Sequence, residues 1–112
     1  MNLANYIERQ KHWSAKTFGP GTRKLGVIEH IKKELEELQK DSHENEWIDV
    51  MILAFDGAWR SGLTPQEIEC ALEKKQEKNM AREWPDWRDF TQDRAIEHVR
   101  TEEKDDAAIS ET

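Results

Sequence analysis

The sequence predicts an all-α fold, a four-helix bundle with a short extra C-terminal segment. Three observations predict it. Apolar residues recur at helical rather than alternating spacing. Strong stop and start signals fall between the periodic stretches, at Gly19, Pro20 and Gly21, at Ser61 and Gly62, and at Thr64, Pro65 and Glu67. No internal repeat and no persistent strand alternation is visible.

The first helix is expected over residues 5–14, anchored by Tyr6, Ile7 and Trp13. The glycines and proline after Phe18 break it into a loop. A second helix is expected over 24–40, with the stripe Val27, Ile28, Ile31, Leu35 and Leu38 on one face. Asp41, Ser42 and His43 form a short polar connection. The third helix is expected over 44–60. Its apolar run 50–55 is also compatible with a buried strand, but the pattern extends outward to Trp47 and Trp59, which favours helix. A helix apolar all round should be the most buried of the set. Thr64 as N-cap, Pro65 at the first position and Glu67 three residues after the cap start a fourth helix. That helix is expected to reach about Arg82. Trp84, Pro85, Asp86 and Trp87 then make a turn expected to pack both indoles back on the bundle. Cys70 is expected to serve as a small buried hydrophobe. The acidic stretch at the end reads as a solvated tail over 101–112, following a domain over 1–100.

Composition narrows the function. A chain of 112 residues buries one modest core. Charged residues make up 37% of it and hydrophobic ones 36%, a balance that suits thin helical layers or an oligomer sharing its core. The net charge of −7 disfavours general binding to nucleic acid, whose phosphates attract basic surfaces. A single cysteine excludes an intrachain disulfide and agrees with a reducing cytoplasm. The first residues lack a basic region followed by an apolar one, so no signal peptide is expected. No apolar stretch approaches the roughly 20 residues of a membrane-spanning helix.

The acids are not scattered evenly. Glu34 and Glu37 lie near the end of the second helix, and Glu46 and Asp49 near the start of the third. The three-residue spacing puts each pair on one helix face. A short connection makes the two helices antiparallel. If the chain reverses between Asp41 and Ser42, residues whose numbers add to 83 face each other. Glu37 then meets Glu46, and Glu34 meets Asp49, in two rungs about 4.5 Å apart. Four carboxylates so crowded stay ionised together only with a cation among them, and hard oxygen donors suit Mg²⁺, with Mn²⁺ as a substitute. The competing reading is a solvated, charged helix pair. Asp56, two turns beyond Asp49, either extends the site or is a satisfied polar residue in the core. A di-iron carboxylate bundle would need Glu-x-x-His on two helices, and the sequence has none.

These residues resemble the all-α NTP pyrophosphohydrolases of the MazG-like superfamily, whose signature is Glu-Glu-x-x-Glu followed by Glu-x-x-Asp. The likeness is greatest to the small phage and prophage branch described as dATP/dGTP diphosphohydrolases, the MazZ type. It is carried by Gly19 to Arg23, by His30 to Leu35, by Glu46 to Val50 with Asp56 to Arg60, by Lys78 and Asn79 with Arg82 to Arg88, and by Ala95 to Arg100. Lys33 stands where the superfamily has the first Glu of its pair, so either the metal has one ligand fewer or Lys33 touches phosphate. The interval between the two motifs is also shorter than usual, which a hairpin tolerates as long as the rungs stay in register.

The resemblance implies hydrolysis of a purine (deoxy)nucleoside triphosphate, dGTP or dATP, to the monophosphate and pyrophosphate. It also implies a homodimer or homotetramer with active sites near subunit interfaces, in the cytoplasm of a bacterium or phage-infected host. Within that frame Glu34, Glu37, Glu46 and Asp49 hold the metal, and Glu37, beside Glu34, is the candidate base. The triphosphate needs cations. Lys75, Lys78, Asn79 and Arg82 offer them along one face of the fourth helix, the resemblance falling on Lys78 and Asn79, with Arg23 and Lys33 as further candidates. The Gly19–Gly21 loop is either a plain turn or a backbone approach to phosphate. A base needs a flat apolar wall. Trp13, Phe18, Trp47 and Trp59 are candidates, Trp13 first because it borders a loop. His30 is either a structural histidine or a support for Glu34. The non-enzymatic alternative is an acidic helical interaction protein such as a phage DNA mimic, whose acids would spread over an exposed face rather than converge. Relatives acting on dUTP or phosphoribosyl-ATP are distinguished only by their substrates.

Overall fold

A computed structural model describes residues 1–40 and 44–100. The expected polar connection 41–43 and the acidic tail 101–112 lie outside the described residues. Four helices form, α1 (Leu3–Phe18), α2 (Lys24–Lys40), α3 (Glu44–Arg60) and α4 (Pro65–Ala81), followed by one 3₁₀ turn at Trp87–Asp89. No strand occurs among the described residues, so the fold is all-α and the apolar run 50–55 is helical.

Local chemistry accounts for the ends. α1 starts earlier than its apolar pattern because Asn2 caps it, its side chain accepting from the Asn5 N–H at 3.0 Å. It runs on to Phe18 and stops at Gly19, whose φ of +97° favours glycine. α4 opens on the expected capping box. The Glu67 N–H donates to Thr64 Oγ1 at 3.1 Å, and the Thr64 N–H donates to Glu67 Oε1 at 2.9 Å.

The described residues up to 73 form one compact unit and those from 74 to 100 a second. In the first, α2 and α1 both pack on α3. A methyl placed on Gly57 would lie 3.6 Å from Val27 Cγ1, so α2 and α3 approach closely there. The numbers 27 and 57 add to 84, within one residue of the register expected for an antiparallel hairpin. α1 runs parallel to α3, since Gln10 Nε2 donates to the Ile52 carbonyl at 2.9 Å and Arg60 Nη2 donates to Ser14 Oγ at 2.9 Å.

Among the described residues the apolar interior is small, its buried hydrophobic residues being Ala4, Ile7, Val27, Leu38 and Ile68. The expectation that α3 is the most buried helix holds in part: it has the smallest share of exposed residues of the four, yet few of its side chains are fully enclosed. Among its described side chains only Asp56 and Arg60 are buried, and Met51 is 54% exposed. Among the described residues α1 and α2 are the helices that pack on α3, and they leave Met51 uncovered. Cys70 is likewise exposed rather than buried. α4 buries Pro65 and Ile68, and a residue two positions beyond Ile68 points to the opposite side of the helix.

In the second unit, Trp84 Nε1 donates to the Asn79 carbonyl at 2.7 Å, and the indole meets the His98 ring edge-on. Trp84 thus folds back on the end of α4, but Trp87 does not. Asp86 caps the 3₁₀ turn by accepting from the Arg88 N–H, and that turn leaves Trp87 70% exposed. Among the described residues no helix is long and apolar enough to cross a membrane.

Candidate active site

The α2–α3 hairpin brings together carboxylates that are far apart in an extended chain. One oxygen each from Glu34, Glu37 and Glu46 lie within 4.8 Å of one another. Glu34 and Glu37 share a face of α2, and Glu46 approaches from the first turn of α3. Glu34 and Glu46 are half-buried and Glu37 is exposed. Asp49 is one turn along α3 from Glu46, exposed, and not one of the three. His30 Nε2 stands 3.6 Å from Glu34 Oε2 across one turn of α2.

The donor set suits a divalent cation. An octahedral ion with oxygen ligands at about 2.1 Å places them about 3.0 to 4.2 Å apart, compatible with the 4.8 Å within which these three lie. Small side-chain rotations would bring them onto one ion. The chemistry matches as well, since three carboxylates and open positions favour a hard cation that retains water or takes phosphate oxygens.

Toward the start of α2 the same helix lines a shallow depression with Gly26, Glu29, His30 and Lys33. Arg23 lies at its edge. Its backbone adopts φ +42°, and its guanidinium reaches over the Phe18 ring at 5.7 Å. It also crosses Gly26, where a Cβ would meet Nη2 at 3.0 Å. Phe18 in turn meets Trp13 edge-to-face at 5.6 Å. Trp13 and Phe18 are 58% and 44% exposed, so this aromatic wall is open. Trp47 is also exposed, whereas Trp59 is half-buried with Arg60 4.5 Å from its ring centroid.

The second unit carries the remaining candidates. Lys78 and Asn79 are half-buried on the last turn of α4, and Arg82 Nη1 donates to Asn79 Oδ1 at 2.8 Å. Lys75 is exposed.

One sequence ambiguity closes here. Asp56 faces Arg60, whose Nε donates to its Oδ2 at 3.0 Å, and both side chains are buried. Asp56 is therefore a paired core acid. The loop is clamped on its carbonyl side, Gly19 and Gly21 each accepting from Arg60 Nη1 at 2.9 Å, which does not bear on whether its N–H groups approach phosphate. Sequence reasoning missed Arg60. The available signal was its four-residue spacing from Asp56, which brings the pair to one helix face.

The geometry agrees with the comparisons. A family model for dATP/dGTP pyrophosphohydrolases matches residues 6–103, most of the chain. No curated protein and no solved structure matches. With converging acids on an all-α hairpin and a family match over nearly its whole length, the chain belongs to the dATP/dGTP pyrophosphohydrolase family and is a nucleoside triphosphate pyrophosphohydrolase.

Proposed function

We propose that the enzyme hydrolyses the purine deoxynucleoside triphosphates dGTP and dATP to the monophosphate and pyrophosphate, with Mg²⁺ or Mn²⁺ at Glu34, Glu37 and Glu46. The observation that carries the reading is the meeting of these three acids, from two helices, within 4.8 Å. Asp49 has the weaker part of an accessory ligand, since its carboxylate stands outside the triple. A divalent ion, when bound, would neutralise phosphate charge there. The chain's own residues do the rest. Glu37, the exposed member, takes the proton from water as its oxygen forms a bond to the α-phosphorus. The bond from that phosphorus to the bridging oxygen breaks, and pyrophosphate leaves.

The depression on α2 gives the nucleotide a direction. Helix rise puts Gly26 about 12 Å from Glu34 along the axis, a span that a nucleotide bridges. The base stacks on the Trp13–Phe18 wall beside Arg23, and Lys33 meets the phosphates on the way to the acids. Lys78, Asn79 and Arg82 are proposed as further phosphate contacts from their charge and spacing. A homodimer or homotetramer is supported by exposed apolar residues on both helices of the hairpin. Leu35, Ile48 and Met51 are 44%, 49% and 54% exposed.

The test is pyrophosphate release from a panel of NTPs and dNTPs with Mg²⁺, for the wild type, Glu37→Gln and Asp49→Asn. We expect purine dNTPs to be preferred. Glu37→Gln should lose at least about a hundredfold in kcat, and Asp49→Asn should lose less. Unaltered rates in Glu37→Gln would remove the proposed site, and a preference for dUTP or phosphoribosyl-ATP would replace the substrate.

A further inference from the structure

We propose that Arg60 is a positioning residue for nucleotide binding: it holds the aromatic wall and Arg23 in place before substrate arrives. The inference rests on the reading above that this wall takes the base.

Arg60 ends α3 with a side chain that has no exposed surface. Its planar fork donates in three directions. Nε donates to Asp56, which offsets the charge. Nη1 donates to the Gly19 and Gly21 carbonyls at 2.9 Å. Nη2 donates to Ser14 Oγ at 2.9 Å and to the Ser14 carbonyl at 3.3 Å. These contacts bracket the wall. Ser14 follows Trp13, Gly19 follows Phe18, and Gly21 lies two residues before Arg23.

The backbone at the two glycine anchors and just beyond them adopts an unusual path. Gly19, Gly21 and Arg23 have φ of +97°, +89° and +42°. Positive φ at an arginine is uncommon, and such a conformation persists where its surroundings over-determine it. Its result is the placement of the Arg23 guanidinium over Phe18 and across Gly26. Packing alone does not call for an arginine here, because buried ion pairs are often replaced by hydrophobic residues without loss of stability. A guanidinium is called for when several backbone carbonyls must be held in one geometry at once. Binding then avoids the cost of ordering the loop.

The test uses Arg60→Lys, which keeps the charge opposite Asp56 and removes the fork. Initial rates of pyrophosphate release from dGTP and dATP give KM and kcat, and a calorimetric titration with Mn²⁺ alone gives metal affinity. We expect KM to rise roughly tenfold while kcat stays within about twofold, with Mn²⁺ affinity unchanged. In a Phe18→Ala background the same substitution should raise KM little, because the wall through which Arg60 acts is gone. Ser14→Ala, which removes one anchor, should give a smaller rise in KM at constant kcat, and it decides the question if Arg60→Lys does not fold. A wild-type KM in both variants overturns the proposal. So does a KM rise that persists in full without Phe18, or a joint loss of kcat and Mn²⁺ affinity. A wild-type enzyme that releases no pyrophosphate from any triphosphate instead overturns the functional reading on which this rests.

Discussion

Replacing Arg60 with Met should be among the most destabilising single changes in the chain, and adding a second mutation should relieve it. Asp56 is 4% exposed, and its Oδ2 accepts from Arg60 Nε. Its other oxygen is buried with no hydrogen-bond partner among the described residues. Removing the guanidinium therefore strands a buried carboxylate, at a cost of about 3 to 5 kcal/mol. The freed carbonyls of Gly19 and Gly21 add little, since they sit in a half-buried loop that water can reach. A loss near 4 kcal/mol lowers the melting temperature by roughly 15 to 30 °C for a domain of this size, a large share of a typical total stability. Replacing Asp56 with Leu in the same chain removes the stranded charge, and roughly half the loss should return. Urea melts followed by circular dichroism at one fixed protein concentration measure all three variants. If Asp56→Leu deepens the defect of Arg60→Met by as much as it costs alone, the two groups do not form a buried pair and the reasoning is wrong.

Two further outcomes rest on local features. Burial raises the Tyr6 phenol above its ordinary value of 10.0, against a smaller opposing pull from Arg9. A raised folded-state pKa favours the neutral form, so its contribution is complete below pH 10 and is lost as pH rises through the folded value. Urea midpoints should fall above pH 10 in the wild type more steeply than in Tyr6→Phe, and equal slopes would refute this. Thr64→Ala removes the capping bond to the Glu67 N–H and should cost about 1 kcal/mol, read from the same melts; a change below a few tenths would show that α4 does not depend on its cap.

Much of this fold could be read from residue order because its determinants are local. α2 and α3 follow from apolar spacing and loop punctuation, and α4 from Thr64, Pro65 and Glu67 in one short box. The hairpin register was readable for the same reason, since a tight connection leaves two helices few ways to align. What escaped depends on neighbours rather than on the segment itself. The run 50–55 looks like the inside of a core, yet whether Met51 is covered depends on which faces of α3 are packed, and among the described residues α1 and α2 leave Met51 exposed. Cys70 and Trp87 were misjudged likewise, by residue type rather than by the face they occupy. Asp56 and Arg60 look on paper like an ordinary surface pair. Only the parallel placement of α1, with Ser14 against the end of α3, shows that the pair is enclosed. For the three clustered acids the spacing carried the essential information; for Asp49 it could not say how far its carboxylate stands from the others.

α3 carries Glu46 in its first turn and Arg60 as its last residue. Fourteen residue steps of helix separate them, about 21 Å of rise, and the intervening backbone is continuous. The helix acts as a keyed shaft, with a tooth at each end engaging a different part of the molecule. Inserting one residue anywhere between the teeth turns one end against the other by about 100°, so that either Glu46 leaves its fellow acids or Arg60 leaves its loop. Exposed side chains along the shaft, such as Ala54, can be exchanged without disturbing either tooth, but its length cannot change.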